Sequence, residues 1–192
     1  MSGRGDKTII LLRGVNVGSD RKLPMKELRE ILEGLGLEDV ETYIQSGNAV
    51  ARLAADPSPT LAEDIAGAIE ERRGFRPRVL VLGAGRLLEA IEANPFPEAD
   101  AEPRSLHLFF LAEPPPSPDL ESLAKVAVAS ERFHLDRDVF YVHAPDGFGR
   151  SKLATSAEKL LGVAATARNW RTVQKLRDMV EAVAAADSSV SA

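Results

Sequence analysis

Asn94-Pro95-Phe96-Pro97-Glu98-Ala99-Asp100-Ala101-Glu102-Pro103-Arg104 divides this chain into two halves. Its prolines and alternating carboxylates leave little apolar surface for a core, and a residue before proline is biased away from helix. The segment therefore reads as a boundary. Upstream, residues 8–12 are an Ile- and Leu-rich run, expected to be a buried strand that ends at Arg13. A helix should follow a loop, with Pro24 in its first turn, Leu28, Ile31, Leu32 and Leu35 as its stripe, and Gly34 and Gly36 ending it. Residues 40–52 read as one extended stretch interrupted at Gly47, which predicts a bulge or a close backbone approach that re-aims Ser46 and Asn48. Residues 56–59 form a proline turn, Thr60 caps a helix to Arg73, 78–82 make a third strand and 86–93 a short helix.

Downstream of the boundary the outline repeats. A strand is expected at 106–111, a proline turn at 114–118, a helix at 119–129, and extended segments at 132–135 and 139–143. Two helices close the chain: one from Ser151 to Leu161 stopped by Gly162, and one capped by Asn169 that runs to about Ala185. Residues 187–192 read as a disordered tail. Strands and helices in this order, with the helices segregated, predict an α+β fold with antiparallel or mixed sheets. The expected domains are 1–97 and 104–186.

With 192 residues, 44% of them hydrophobic, the chain can bury a sizeable core. No apolar run approaches the roughly 20 residues that span a bilayer, and the N-terminus lacks the apolar stretch of a secretory signal. A cytoplasmic protein without a membrane partner is expected. The absence of cysteine removes disulfide frameworks, thiol nucleophiles and Cys-based zinc sites. The net charge of -5 conceals an asymmetry: residues 1–29 carry seven Lys/Arg against three acids, and 148–177 carry seven against one. A positive surface on an acidic body favours a compact anionic ligand over long contact with nucleic acid.

Most chemical signatures fail on detail. Gly83-Ala84-Gly85 has Leu88 where a dinucleotide fingerprint needs its third small residue. No run spells the phosphate-binding Gly-x-x-x-x-Gly-Lys-Ser/Thr loop, and neither Ser46 nor Ser151 lies in a Gly-x-Ser-x-Gly elbow. His107, His134 and His143 are dispersed, and His107 reads as a hydrogen-bonded histidine in a strand; no metal or other cofactor is expected. Arg4-Gly5-Asp6 spells an adhesion triplet by coincidence in a cytoplasmic chain.

The polar residues beside the glycines are more informative. Ser151 and Asn169 fall at helix starts, where free N–H groups and the dipole favour anions. Arg13, Lys152 and Arg168 supply counter-charge, and Asn16, Gln45, Ser46 and Asn48 supply fixed donors and acceptors. Capping alone accounts for Ser151 and Asn169, and Trp170 reads as a core anchor.

Arg13-Gly14-Val15-Asn16-Val17-Gly18, Met25 with Leu28, Thr42-Tyr43-Ile44-Gln45-Ser46-Gly47-Asn48, Asn94-Pro95-Phe96, Ser151-Lys152-Leu153, Leu161-Gly162 and Arg168-Asn169-Trp170 with Thr172 and Leu176 recur in one order. Together they resemble the domain of unknown function 1697 family over nearly the whole chain. The resemblance implies two ferredoxin-like, or α/β-plait, halves that can exchange strands, in uncharacterised bacterial proteins. It implies no established activity. The chain departs from the family pattern at Ser19-Asp20-Arg21-Lys22, where a second glycine and a lysine-rich loop are usual, and an acid here disfavours a phosphate cradle.

The residues thus favour binding of a small phosphate- or carboxylate-bearing ligand. A nucleic-acid module is the second reading, since plait folds present sheets to single strands. A structural or protein-interaction role without a ligand is the third.

Overall fold

The apolar run at the start of the chain becomes β1 (Lys7–Arg13), the centre of the first of two four-stranded antiparallel sheets in a computed structural model. The structure describes residues 7–53 and 58–189. The Arg4-Gly5-Asp6 triplet, half of the 56–59 turn and residues 190–192 of the expected tail lie outside the described residues.

The first sheet is assembled from β1, α1 (Met25–Gly34), β2 (Leu37–Tyr43), β3 (Asn48–Leu53), α2 (Leu61–Arg73) and β4 (Arg78–Gly83), in strand order β2-β3-β1-β4. Leu28, Ile31 and Leu32 of α1 share one helical face and pack with Ile10, Leu12, Ala49 and Ala51 of the sheet. Each such burial is worth roughly 1.5–3 kcal/mol. Ile9, Leu11, Val50 and Leu82 point to the other sheet face and are buried as well. A strand covered on both faces has no use for alternation, which is why residues 8–12 are continuously apolar.

The second sheet repeats the plan with β5 (Leu106–Leu111), α4 (Leu120–Val126), β6 (Arg132–Asp136), β7 (Val139–His143), α5 (Lys152–Leu161) and β8 (Ala165–Asn169), in order β6-β7-β5-β8. Phe109, Leu111, Phe140 and Val142 meet Leu123 of α4 and Leu153, Ala157 and Leu161 of α5. Leu108, Phe110, Tyr141 and Thr166 are buried on the opposite face. Gly162 ends α5 in the left-handed region at φ 74°, and its N–H returns to Glu158, a conformation that glycine adopts without steric cost. Both halves are thus βαββαβ plaits. Each sheet takes four consecutive strands, so among the described residues no strand is exchanged between them.

Two helices cross the division between the compact units. One unit comprises residues up to Leu88 and from Leu176 onward; the other is Glu89–Lys175. The first break falls inside α3 (Ala84–Glu92) and the second inside α6 (Trp170–Ser189). The proline-rich segment read as a boundary belongs wholly to the second unit and is folded. Asn94 brackets Phe96 by accepting from its N–H at 3.0 Å and donating to its carbonyl at 3.3 Å. The Trp170 indole N–H reaches Asp100 at 2.7 Å.

Four sequence readings need amendment. Residues 40–52 are not one strand: β2 and β3 form a hairpin in which Tyr43 faces Asn48, with Ile44 and Gly47 left-handed at φ 47° and 73°. The bulge lies earlier, between Glu38 and Glu41. Residues 165–169, to which the sequence pattern assigned no element, are β8 and pair with β5 from His107↔Asn169 to Leu111↔Ala165. Finally, α6 continues through Ser189, into the segment expected to be disordered. Thr60 precedes α2, but its side chain does not cap the backbone; its hydroxyl donates to Asp64 at 2.8 Å.

Candidate functional site

In the first unit, the loop after β1 and the β2–β3 hairpin are joined by one side chain. Asn16, left-handed at φ 54°, donates through Nδ2 to the carbonyls of Leu23 at 2.9 Å and Gln45 at 2.7 Å. Its Oδ1 accepts from Leu23 N–H at 2.9 Å. A second tie runs from Leu12 N–H to the Gly47 carbonyl at 2.8 Å. A Cβ on Gly47 would stand 2.7 Å from Leu12 Cβ and 2.8 Å from Val15 Cγ2, so the close approach of the loops requires glycine. Asn48 is fully buried, and its Nδ2 donates to the Tyr43 carbonyl at 3.0 Å and Ser46 Oγ at 2.9 Å. Asn16 and Asn48 thus spend their amides on holding the backbone. Arg13, Gln45 and Ser46 remain exposed around them.

In the second unit, Ser151 is buried at the start of α5, where its Oγ accepts from Ala154 N–H at 2.9 Å. Asn169 does the same for α6, accepting from Thr172 N–H at 2.8 Å. Arg168 is 8% exposed on β8, with Nη1 donating to the Ala167 carbonyl at 2.9 Å. Burial lowers its pKa to about 10. Ala165 and Ala167 face the core under α4 and α5, so strand alternation sends Arg168 to the opposite sheet face. It does not join Ser151 and Lys152, which begin a helix on the other side.

Ser151 and Lys152 instead line a cleft of about 530 Å³ between the end of α4 and the start of α5. Lys125, Arg150 and Lys152 supply its positive charge, Gly147 its floor, and Val126, Ala127 and Val128 an apolar wall. Two carboxylates also line it, both already hydrogen-bonded: Glu131 accepts from Val128 N–H at 3.1 Å and Asp146 from the Ser130 hydroxyl at 2.6 Å. Lys125 forms an exposed pair with Glu121 at 2.6 Å, a contact that competes weakly with a ligand. The first backbone N–H groups of α5 have no intrahelical acceptor and add a partial positive charge at the same end.

The family model described as Protein of unknown function (DUF1697) matches residues 6–141. The chain belongs to this family. A solved structure of similar fold is that of the conserved bacterial protein SP0830 from Streptococcus pneumoniae, with a TM-score of 0.66 and 23% identity over 92% of this chain and 99% of that one. At that identity the likeness concerns the fold. No curated protein matches the chain.

Sequence reasoning found two of the cleft's residues and missed Lys125, Arg150 and the Val126–Val128 wall. The excess of cations after Phe148 pointed to Arg150, but nothing local in the sequence brings Lys125 to it. His107 was also misread. Its Nδ1 is buried with no partner among the described residues, and the ring stacks on Phe148 with centroids 3.5 Å apart. Burial depresses its pKa to about 4, so it is a neutral packing group. Among the described residues no three His, Asp or Glu side chains gather to hold a metal, and no helix is long and apolar enough to cross a membrane.

Proposed function

We propose that this DUF1697 protein binds a small anionic metabolite in the α4–α5 cleft. The observation that carries the reading is the cleft's composition: three cationic side chains around a hollow whose two carboxylates are already hydrogen-bonded, Glu131 within its own loop and Asp146 to Ser130. A phosphate or carboxylate takes a fork from Arg150 and a point contact from Lys152, while Val126 to Val128 cover an apolar portion of the ligand. Its volume, about 530 Å³, falls in the range of small-molecule sites.

Nucleic-acid binding through a plait sheet is less favoured, because the central strands β1, β5 and β7, where a stacking platform would lie, are buried on both faces. The test is a thermal-shift and calorimetric screen of phosphorylated and carboxylated metabolites. Ligands that stabilise the protein should lose that effect with Arg150→Ala and Lys152→Ala. An unchanged response in both variants rejects the cleft.

A further inference from the structure

The joined loops of the first unit carry a feature that the cleft of the second does not explain. Ile44 is a β-branched residue held at φ 47°, where its Cβ crowds the following carbonyl and where glycine or asparagine is the ordinary occupant. The usual compensation for such strain is burial, yet Ile44 is 50% exposed. Val17, on the loop that Asn16 ties to Gln45, is 58% exposed. Two apolar tips are thus held in water on backbones that side-chain hydrogen bonds make rigid.

Cations outnumber acids in the loop that carries Val17. Arg21 and Lys22 are exposed, and among the described residues neither forms an ion pair. The acid of that loop, Asp20, already accepts from the Ser19 hydroxyl. Gln45 and Ser46 add exposed neutral polar groups between the tips.

We propose that this loop pair is a docking surface for an acidic protein segment, in which carboxylates flank one or two aliphatic or aromatic anchors. Arg21 and Lys22 meet the carboxylates, and Val17 and Ile44 meet the anchors. Rigidity separates this partner from an anionic bilayer. A fluid lipid surface accepts apolar tips in many orientations and gains little from a strained, fixed Ile44, whereas a protein contact is paid back for side chains placed in advance. Burying Gln45 and Ser46 against acyl chains would leave their polar groups unmatched, while a peptide backbone satisfies them.

The test uses the full chain as bait for a randomised dodecapeptide display library, followed by a synthetic peptide of the selected consensus. The expected consensus places Asp or Glu beside a large apolar residue. Its binding should weaken at least about tenfold with Ile44→Asn or Val17→Ser, as for a truncated interface anchor, and fall with added salt. Leu120→Ser, which removes another exposed apolar side chain, should leave binding unchanged. No consensus, or a consensus peptide that binds both loop variants as tightly as the wild type, overturns the proposal. Phosphatidylserine vesicles form the second arm: co-sedimentation that depends on Ile44, without a selected peptide, overturns it in favour of a lipid surface.

Discussion

The Tyr141 hydroxyl donates to the carbonyl oxygen of Ala90 at 2.8 Å, across 51 residues of sequence. The phenol is fully buried, so this bond fixes the end of α3 to the face of the second sheet that α4 and α5 leave uncovered. Tyr141→Phe leaves that carbonyl without its partner and should cost roughly 1–2 kcal/mol in urea unfolding. Burial also pushes the phenol above its ordinary pKa. The unfolded chain then releases this proton first, so its contribution to stability is present below about pH 10 and is lost as pH rises beyond it. An ultraviolet phenolate titration of the folded protein should show this tyrosine ionising only as the protein unfolds.

His107 predicts an opposite limb. Its folded pKa of about 4 lies below the ordinary 6.5, so between those values the unfolded chain binds the extra proton. Stability is therefore full above about pH 6.5 and falls as the pH drops towards 4, by at most about 3 kcal/mol. His107→Phe keeps a ring against Phe148 and removes the unpartnered Nδ1. Thermal midpoints measured across that pH range should decline less in the variant, with no loss at neutral pH.

Asn48 and Gln45 are three residues apart in sequence and should respond very differently. Asn48→Ala removes two donors from inside a buried hairpin turn and should destabilise by roughly 1–3 kcal/mol. Gln45→Ala touches an exposed side chain and should stay within about 0.5 kcal/mol. Equal effects in denaturant titrations would mean that the turn is not held by the Asn48 amide.

Ile44→Asn should do what few substitutions do and raise stability. Asparagine tolerates the left-handed region, and relief of the crowded Cβ is worth about 1 kcal/mol. A thermal midpoint a few degrees above the wild type checks this, and it also separates loss of docking from loss of folding.

The strands that were legible in the sequence are those that carry their own apolar signal. Residues 8–12 and 106–111 announce themselves because both faces of each are buried. β8 is the counterexample. Ala165, Thr166 and Ala167 are too small to pattern a strand, and they become one because β5 offers an unpaired edge. The hairpin was hidden for another reason: Ile44 occupies a conformation its chemistry disfavours, so propensity points the wrong way at the residue where the chain turns. Ser151 and Asn169 were readable as caps because capping is local. Arg168 was not separable from Lys152, since the sheet face a residue occupies depends on a strand that the sequence did not reveal.

Helix α6 begins in one unit and ends in the other, where the Val180 carbonyl accepts from the Lys7 ammonium. The compact unit that holds β1 is therefore complete only when the chain from Leu176 onward has joined it. All four strands of the first sheet precede residue 84, yet its compact unit is not continuous in sequence as domains strung in series are. A fragment cut at Leu88 keeps its sheet but loses the α6 residues that belong to its unit, and should unfold at lower denaturant than the whole chain.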